Sequence, residues 1–365
     1  MGENSGSGGN MTEEAACPAP IEDKDIDDLI LFLKHDTVKI QIHALKLIQG
    51  LTVEQQIVQR LANKRDELIP SLLQFVPKEK TLSKAALTSV VNMSQEPRVL
   101  DTLLDMKMPN RCMDYVREKT CPGNEQLLIM LLANMTSVER GAAQLLQIGE
   151  GPKEGLHLAF LLGHFMKETA EKSEKGDVYE HVASILPNVT VFKQGRQVVL
   201  EPGRGALQAL ASQLDSSNAL RRTGCAGAIK NCFFCCEEDG TEENIVEEEE
   251  ALNVILAALC GTGYTKKKAE NDVRELLAEG VYCLAKSDIV RTKLWKMNAV
   301  DLLKTGYEDE ENPVVCEAME GAAEFFLQDG VQQPTDEQKE ETHATEEEKD
   351  IAQDLVDRCV VEEIQ

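Results

Sequence analysis

The chain has 365 residues and a formal net charge of −26, with 42% hydrophobic and only 4% aromatic residues. That charge lacks the basic footprint that nucleic-acid binding needs and disfavours anionic membrane surfaces. No run approaches the ~18 uninterrupted apolar residues of a membrane span, and the low aromatic content with few alternating runs predicts a mostly helical chain.

The first 22 residues, from MGENSGSGGN onward, are polar, Gly/Ser-rich and acidic. They lack the apolar core of a secretory leader and are expected to form a disordered tail on a cytoplasmic protein. The eleven cysteines agree. Most sit in apolar runs, as buried thiols do, and not in the dense framework of a small secreted scaffold.

Three Asn-x-Ser/Thr triplets follow, at Asn92, Asn134 and Asn188. They spell sugar acceptors, yet their spacing points elsewhere. Asn92 to Asn134 is 42 residues, Asn134 to Asn188 is 54, and Asn188 to Asn231 is 43. The same register lands on Gly50 upstream and on Ala285 and Phe326 downstream, each with an apolar lead-in. A step of this size, without the signals of a propeller, predicts helical repeats of armadillo or HEAT type. Over 124–136, Leu127, Leu128, Leu131, Leu132 and Met135 share one helical face and Ile129, Met130 and Ala133 cover much of the rest. A helix apolar nearly all round is buried between neighbours. Each Asn then falls in the last turn of a buried helix. The Ser or Thr after it is expected to cap the next helix, with Thr136-Ser137-Val138-Glu139 spelling a capping box.

A second phrase recurs between these positions. Residues 98–116, 195–214 and 290–307 each run from one apolar helix through a turn with Pro, Gly or Asn into another. Three helices per repeat is the armadillo layout, and two-helix HEAT units are the alternative. The expected fold is therefore all-α, an armadillo-type right-handed α-solenoid of about seven three-helix repeats over residues 23–330, with disordered ends. Two repeats carry extra residues, expected as solvated inserts near 167–177 and at 237–250 with 261–272. The run 237–250 contains nine carboxylates and no base. Residues 331–365 hold twelve Asp/Glu against three Lys/Arg and are expected to be largely disordered, although Ile351, Leu355 and Val356 stand at helical spacing.

No constellation points firmly to catalysis. Cys232-Phe-Phe-Cys235-Cys236 lacks the second ligand pair of a structural zinc site, and the six histidines are scattered. His157 and His164 share an apolar helix. The Gly-containing runs GEGPKEG and EPGRG match no phosphate-binding loop. No metal or cofactor is expected. In armadillo arrays the third helix lines a groove, so Asn92, Asn134, Asn188 and Asn231 are candidate groove side chains, able to donate to and accept from a bound backbone. The same amides could instead satisfy loop carbonyls between repeats. Arg221, Arg222 and Lys230 would add positive charge to that groove, or pair internally with Asp215 or the acidic run 237–250.

Residues 186–238, and above all the Arg-Arg-x-Gly run that ends in Lys-Asn-Cys-Phe at 221–233, resemble the HGH homolog family of eukaryotic armadillo-type cochaperones. The resemblance continues through 272–329. It implies a non-catalytic adaptor that is monomeric and binds newly made eukaryotic elongation factor 2 together with the cytosolic chaperonin and Hsp90. An armadillo-type exchange factor for Hsp70, another armadillo scaffold, and a thiol- or metal-dependent enzyme are the alternatives.

Overall fold

A computed structural model describes residues 21–121, 123–168, 177–261 and 269–327. The chain divides into two compact units after Thr102. Among the described residues every regular element is a helix.

The first unit holds α1 (Asp23–Leu33), α2 (Val38–Leu51), α3 (Gln55–Leu61), α4 (Arg65–Leu73) and α5 (Lys80–Met93), and the next helix, α6 (Pro97–Asp105), contains the division. Here α1 packs on α2 and α4, and α5 packs on α2 and α4. Ile26, Leu33, Leu45, Ile48, Leu68, Leu72 and Leu87 are fully buried between them. Burying such a side chain contributes about 1.5–3 kcal/mol.

The second unit continues with α7 (Met108–Glu118), α8 (Glu125–Thr136), α9 (Glu139–Leu145), α10 (Leu156–Glu168) and α11 (Val182–Thr190). Then come α12 (Lys193–Val199), α13 (Ala206–Ser212) and α14 (Ala219–Phe234). The last two repeats are α15 (Cys236–Asp239), α16 (Glu242–Glu247), α17 (Glu249–Cys260) and α18 (Asn271–Lys286), followed by α19 (Asp288–Lys296), α20 (Ala299–Glu308) and α21 (Pro313–Phe326). Third helices stack on third helices through α8, α11, α14, α18 and α21. Second helices stack through α13, α17 and α20, and first helices meet at α16 and α19. This layering is the armadillo arrangement. Every register position in the sequence, from Gly50 to Phe326, lies at the C-terminal end of a third helix.

The corner between first and second helices uses a left-handed residue before α7, α13 and α20, though not before α17, where Glu248 has φ −90°. Asn298 (φ 56°) and Lys107 (φ 55°) take that role, and Gly203 and Gly205 do so between α12 and α13. Asn and Gly tolerate this conformation best, which is why the turn was visible in the sequence. Lys107 is not such a residue; Pro109 just inside α7 favours the helix start instead. The third helices approach closely where side chains are small. A Cβ at Gly224 would collide with the Ala183 carbonyl of α11, and Gly227 faces Pro187.

The acidic run is not a loop. Residues 236–239, 242–247 and 249–260 are helical, with Ile245, Leu252, Ile255 and Leu256 buried. Its carboxylates lie largely on the outer face, and Asp239 is drawn inside. In the other expected insert, 169–176 lies outside the described residues, as do 262–268, the tail 1–20 and the segment 328–365.

Candidate protein-binding surface

The hydroxyl that follows each Asn does not cap the next helix. Thr136 and Thr190 end α8 and α11, and Ser94 directly follows α5. Thr136 Oγ1 donates back to the Ala133 carbonyl at 3.1 Å and Thr190 Oγ1 to that of Leu186 at 2.8 Å. The N-cap of α9 is Val138, with no side-chain bond, so the capping box does not form. With their protons engaged, the Thr136 and Thr190 hydroxyls are left as acceptors, and the Asn of the following repeat supplies the donor. Asn188 Nδ2 donates to Thr136 Oγ1 at 3.3 Å. Asn231 Nδ2 donates to Thr190 Oγ1 at 3.0 Å and to the Pro187 carbonyl at 3.0 Å. In the first unit Asn92 Nδ2 donates to Thr52 Oγ1 at 3.1 Å. Asn134 holds the same register on α8 and is half-buried.

The Asn-x-Ser/Thr pattern is thus an inter-repeat ladder. Sugar would have to be attached at the nitrogen that makes these bonds. Intact mass of the protein from a eukaryotic host is expected to be that of the bare chain, and a glycan at Asn92, Asn134 or Asn188 would refute this assignment.

The candidate cations separate. Arg221 is buried. Its guanidinium meets Asp177 at 2.5 Å, donates to the Phe165 carbonyl and to Gln213 Oε1, and lies 3.9 Å from the Phe165 ring centroid. It belongs to the interior and not to a groove. Its partner is Asp177, and neither Asp215 nor the acidic run takes part. Arg222 is mostly covered, gripping both Glu270 oxygens and donating to the Ser216 carbonyl. Lys230 is half-buried and pairs with Glu279 of α18.

Arg196 was not singled out by the sequence. It donates to both oxygens of buried Asp239 and to the carbonyls of Thr190 and Val191 at the end of α11. Arg291 repeats this on the Ala285 and Lys286 carbonyls of α18. A guanidinium there satisfies helix-end acceptors and opposes the dipole.

Beside this ladder runs a row of exposed apolar side chains, one per repeat. Val191 and Phe234 close α11 and α14, Val138 precedes α9 and Ile289 lies in the first turn of α19, with Phe234 67% and Val191 66% exposed. The bonds that join these helix ends place Val138, Val191 and Phe234 along one edge. Phe234 lies one turn beyond Asn231 and Lys230, on the same side of α14. The sequence hid this row, because an apolar residue just after a buried helix reads as more core.

The chemistry of the other candidates is quieter. Burial pushes the Cys236 thiol up to about 12 and that of Cys232 higher still, so both stay protonated at neutral pH. Burial also holds the His157 imidazole down at about 4, while His164 stacks between Phe160 and Tyr179. Among the described residues no group of His, Cys, Asp or Glu is placed to hold a metal ion, and no helix is long and apolar enough to cross a membrane.

Comparison with known proteins agrees with this architecture. A family model described as a domain of unknown function, DUF383, matches residues 117–286, from the end of α7 through α18. The "Protein HGH1 homolog" of Dictyostelium discoideum is 20% identical over 338 residues, covering 87% of this chain and 94% of that protein. The chain is thus similar to the HGH1 homologs along most of its length. The HGH1 homolog of Schizosaccharomyces pombe is 24% identical over 222 residues, 58% of this chain and 60% of its own. Two solved structures share the fold of this chain. A designed armadillo repeat protein in complex with the peptide (KR)4 has a TM-score of 0.54 at 17% identity, covering 71% of this chain and 99% of that one. A chain from a structure of the interaction between cadherin and beta-catenin has a TM-score of 0.55 at 15% identity, covering 83% of this chain and 55% of that one. This chain thus has the armadillo-type repeat fold.

Proposed function

We propose that this chain is a non-catalytic cytoplasmic adaptor, monomeric, that holds newly made eukaryotic elongation factor 2 and assists its folding with the cytosolic chaperonin, with Hsp90 as a further partner. The choice of client rests on the family resemblance of residues 186–238 and 272–329. The observation that carries a binding role is the apolar row Val138, Val191, Phe234 and Ile289 beside the amide ladder. An incompletely folded client presents extended backbone and uncovered apolar side chains. The row supplies apolar contact at one point per repeat. Both N–H groups of Asn231 are engaged within the fold, which leaves its Oδ1 as an acceptor for a client amide. Asn92, Asn134 and Asn188 sit in the same register, and Lys230 and Arg222 can exchange their surface carboxylates for those of a client.

The double change Val191→Asp with Phe234→Asp tests the reading. Both side chains are largely exposed, so stability should stay within about 0.5 kcal/mol of wild type for each. Capture of elongation factor 2 from eukaryotic cytosol is expected to fall by about tenfold, as loss of an aromatic anchor and burial of a charge predict. Undiminished capture would remove the row from the binding surface. Recovery of Hsp70 in place of elongation factor 2, with faster nucleotide release from it, would replace the proposal by an exchange-factor role.

A further inference from the structure

In a repeat array each unit covers the apolar face of the one before it, and the last unit needs a cap. In the second unit α20 covers α17 and α21 covers α18, but α20 and α21 have no successor among the described residues. An apolar groove of about 340 Å³ lies open between them, lined chiefly by Trp295, Leu303, Tyr307, Met319, Phe326 and Leu327. Leu327 is 84% exposed. The buried indole N–H of Trp295 has no hydrogen-bond partner among the described residues.

We propose that the occupant is this chain's own segment 350–361, docked as an amphipathic helix that caps the last repeat. Three observations select it. The chain leaves the described residues at Leu327, on the wall of the groove, with 38 residues still to come. Read as a helix, 350–361 divides into two sides. Ile351, Ala352, Leu355, Val356, Cys359 and Val360 fall on one side at i, i+1, i+4, i+5, i+8 and i+9, while Asp350, Gln353, Asp354, Asp357 and Arg358 fall on the other, with Val361 as the one apolar residue on the polar side. That apolar side is the complement of a groove walled by aromatic, Leu and Met side chains. The connection of 22 residues, 328–349, has a reach of about 23–28 Å as a flexible chain, so the segment stays near the groove at an effective concentration on the order of millimolar. The acidic run 336–349 then serves as a solvated tether.

The chain has a single tryptophan, and it lines the groove, so its fluorescence reports occupancy. In the full chain, Trp295 is expected to be shielded from acrylamide. The pair Leu355→Glu and Val356→Glu, distant from the repeats in sequence, should raise its quenching constant at least twofold with an unchanged melting profile of the repeats. A synthetic peptide of residues 350–365 added to that variant should restore the shielding. Ala323→Arg, at an exposed position on the groove wall, should raise quenching in the same way and abolish rescue by the peptide. Equal quenching in wild type and the Leu355/Val356 variant would overturn the proposal. So would shielding that appears only as protein concentration rises, which would assign the groove to a second copy.

Discussion

Arg221→Glu is expected to melt roughly 10 °C below wild type, while Arg222→Glu melts within a few degrees of it. The two arginines are adjacent, yet their side chains are 4% and 16% exposed, and their partners Asp177 and Glu270 are 26% and 57% exposed. Reversing Arg221 removes the bonds to Asp177, Gln213 and the Phe165 carbonyl and places a second carboxylate beside Asp177 inside α14's packing surface. Losing one partner of a buried pair costs about 3–5 kcal/mol, and in a unit of this size each kcal/mol shifts melting by about 2–4 °C. Arg222 lies at a wetter pair, where the loss is about 1 kcal/mol or less. Thermal melts of the two single variants, followed by circular dichroism, decide the matter. Equal melting temperatures would mean that the Arg221–Asp177 contact contributes nothing to folding. Client capture should follow the melting of Arg221→Glu and not precede it.

Leu131→Ala is expected to destabilise the second unit by about 2–5 kcal/mol. Leu131 is fully buried in α8, beside buried Leu128, Leu132 and Met135. Truncation removes its transfer free energy and leaves a cavity that rigid neighbouring helices cannot fill. Because each repeat is held chiefly by its neighbours, the damage should be local and the denaturation transition less cooperative. Urea unfolding by circular dichroism measures both. A loss under about half a kcal/mol would show that α8 is not a buried third helix.

The register was legible because it rests on a local rule repeated along the chain. An all-round apolar helix must be buried, and the Asn-x-Ser/Thr ending recurs where three of them, α5, α8 and α11, stop. Of the five apolar residues assigned to one face of α8, four are buried and Leu127 is half-exposed, as a position at the edge of that face should be. The corner turns were legible for the same local reason, since Asn298, Gly203 and Gly205 carry their backbone preference with them.

The acidic run misled because nine carboxylates read as a solvated loop. Its helices are amphipathic in three dimensions, with Ile245 and Leu252 turned inward and most of the charge turned out. The ladder hydroxyls misled because an N-cap and a hydroxyl bonded back to its own helix share the same residue types. A hydrogen bond from the next repeat, not composition, separates the two.

What could be read from residues alone was the periodic part, helix type, repeat length and the third-helix positions, together with the net acidity. All of these follow from patterns within one or two turns of chain. The assignment of individual polar side chains could not be read, since their partners are distant in sequence. Arg221 meets Asp177 from 44 positions away, Arg196 meets Asp239 from 43, and Asn231 meets Thr190 from 41. Each of these separations is about one repeat. Stacking brings equivalent positions of neighbouring repeats together, so a cation that looks free in sequence is buried with a carboxylate from the next layer. By the same geometry Phe234 and Val191, which look like core, are left in solvent at the ends of their helices.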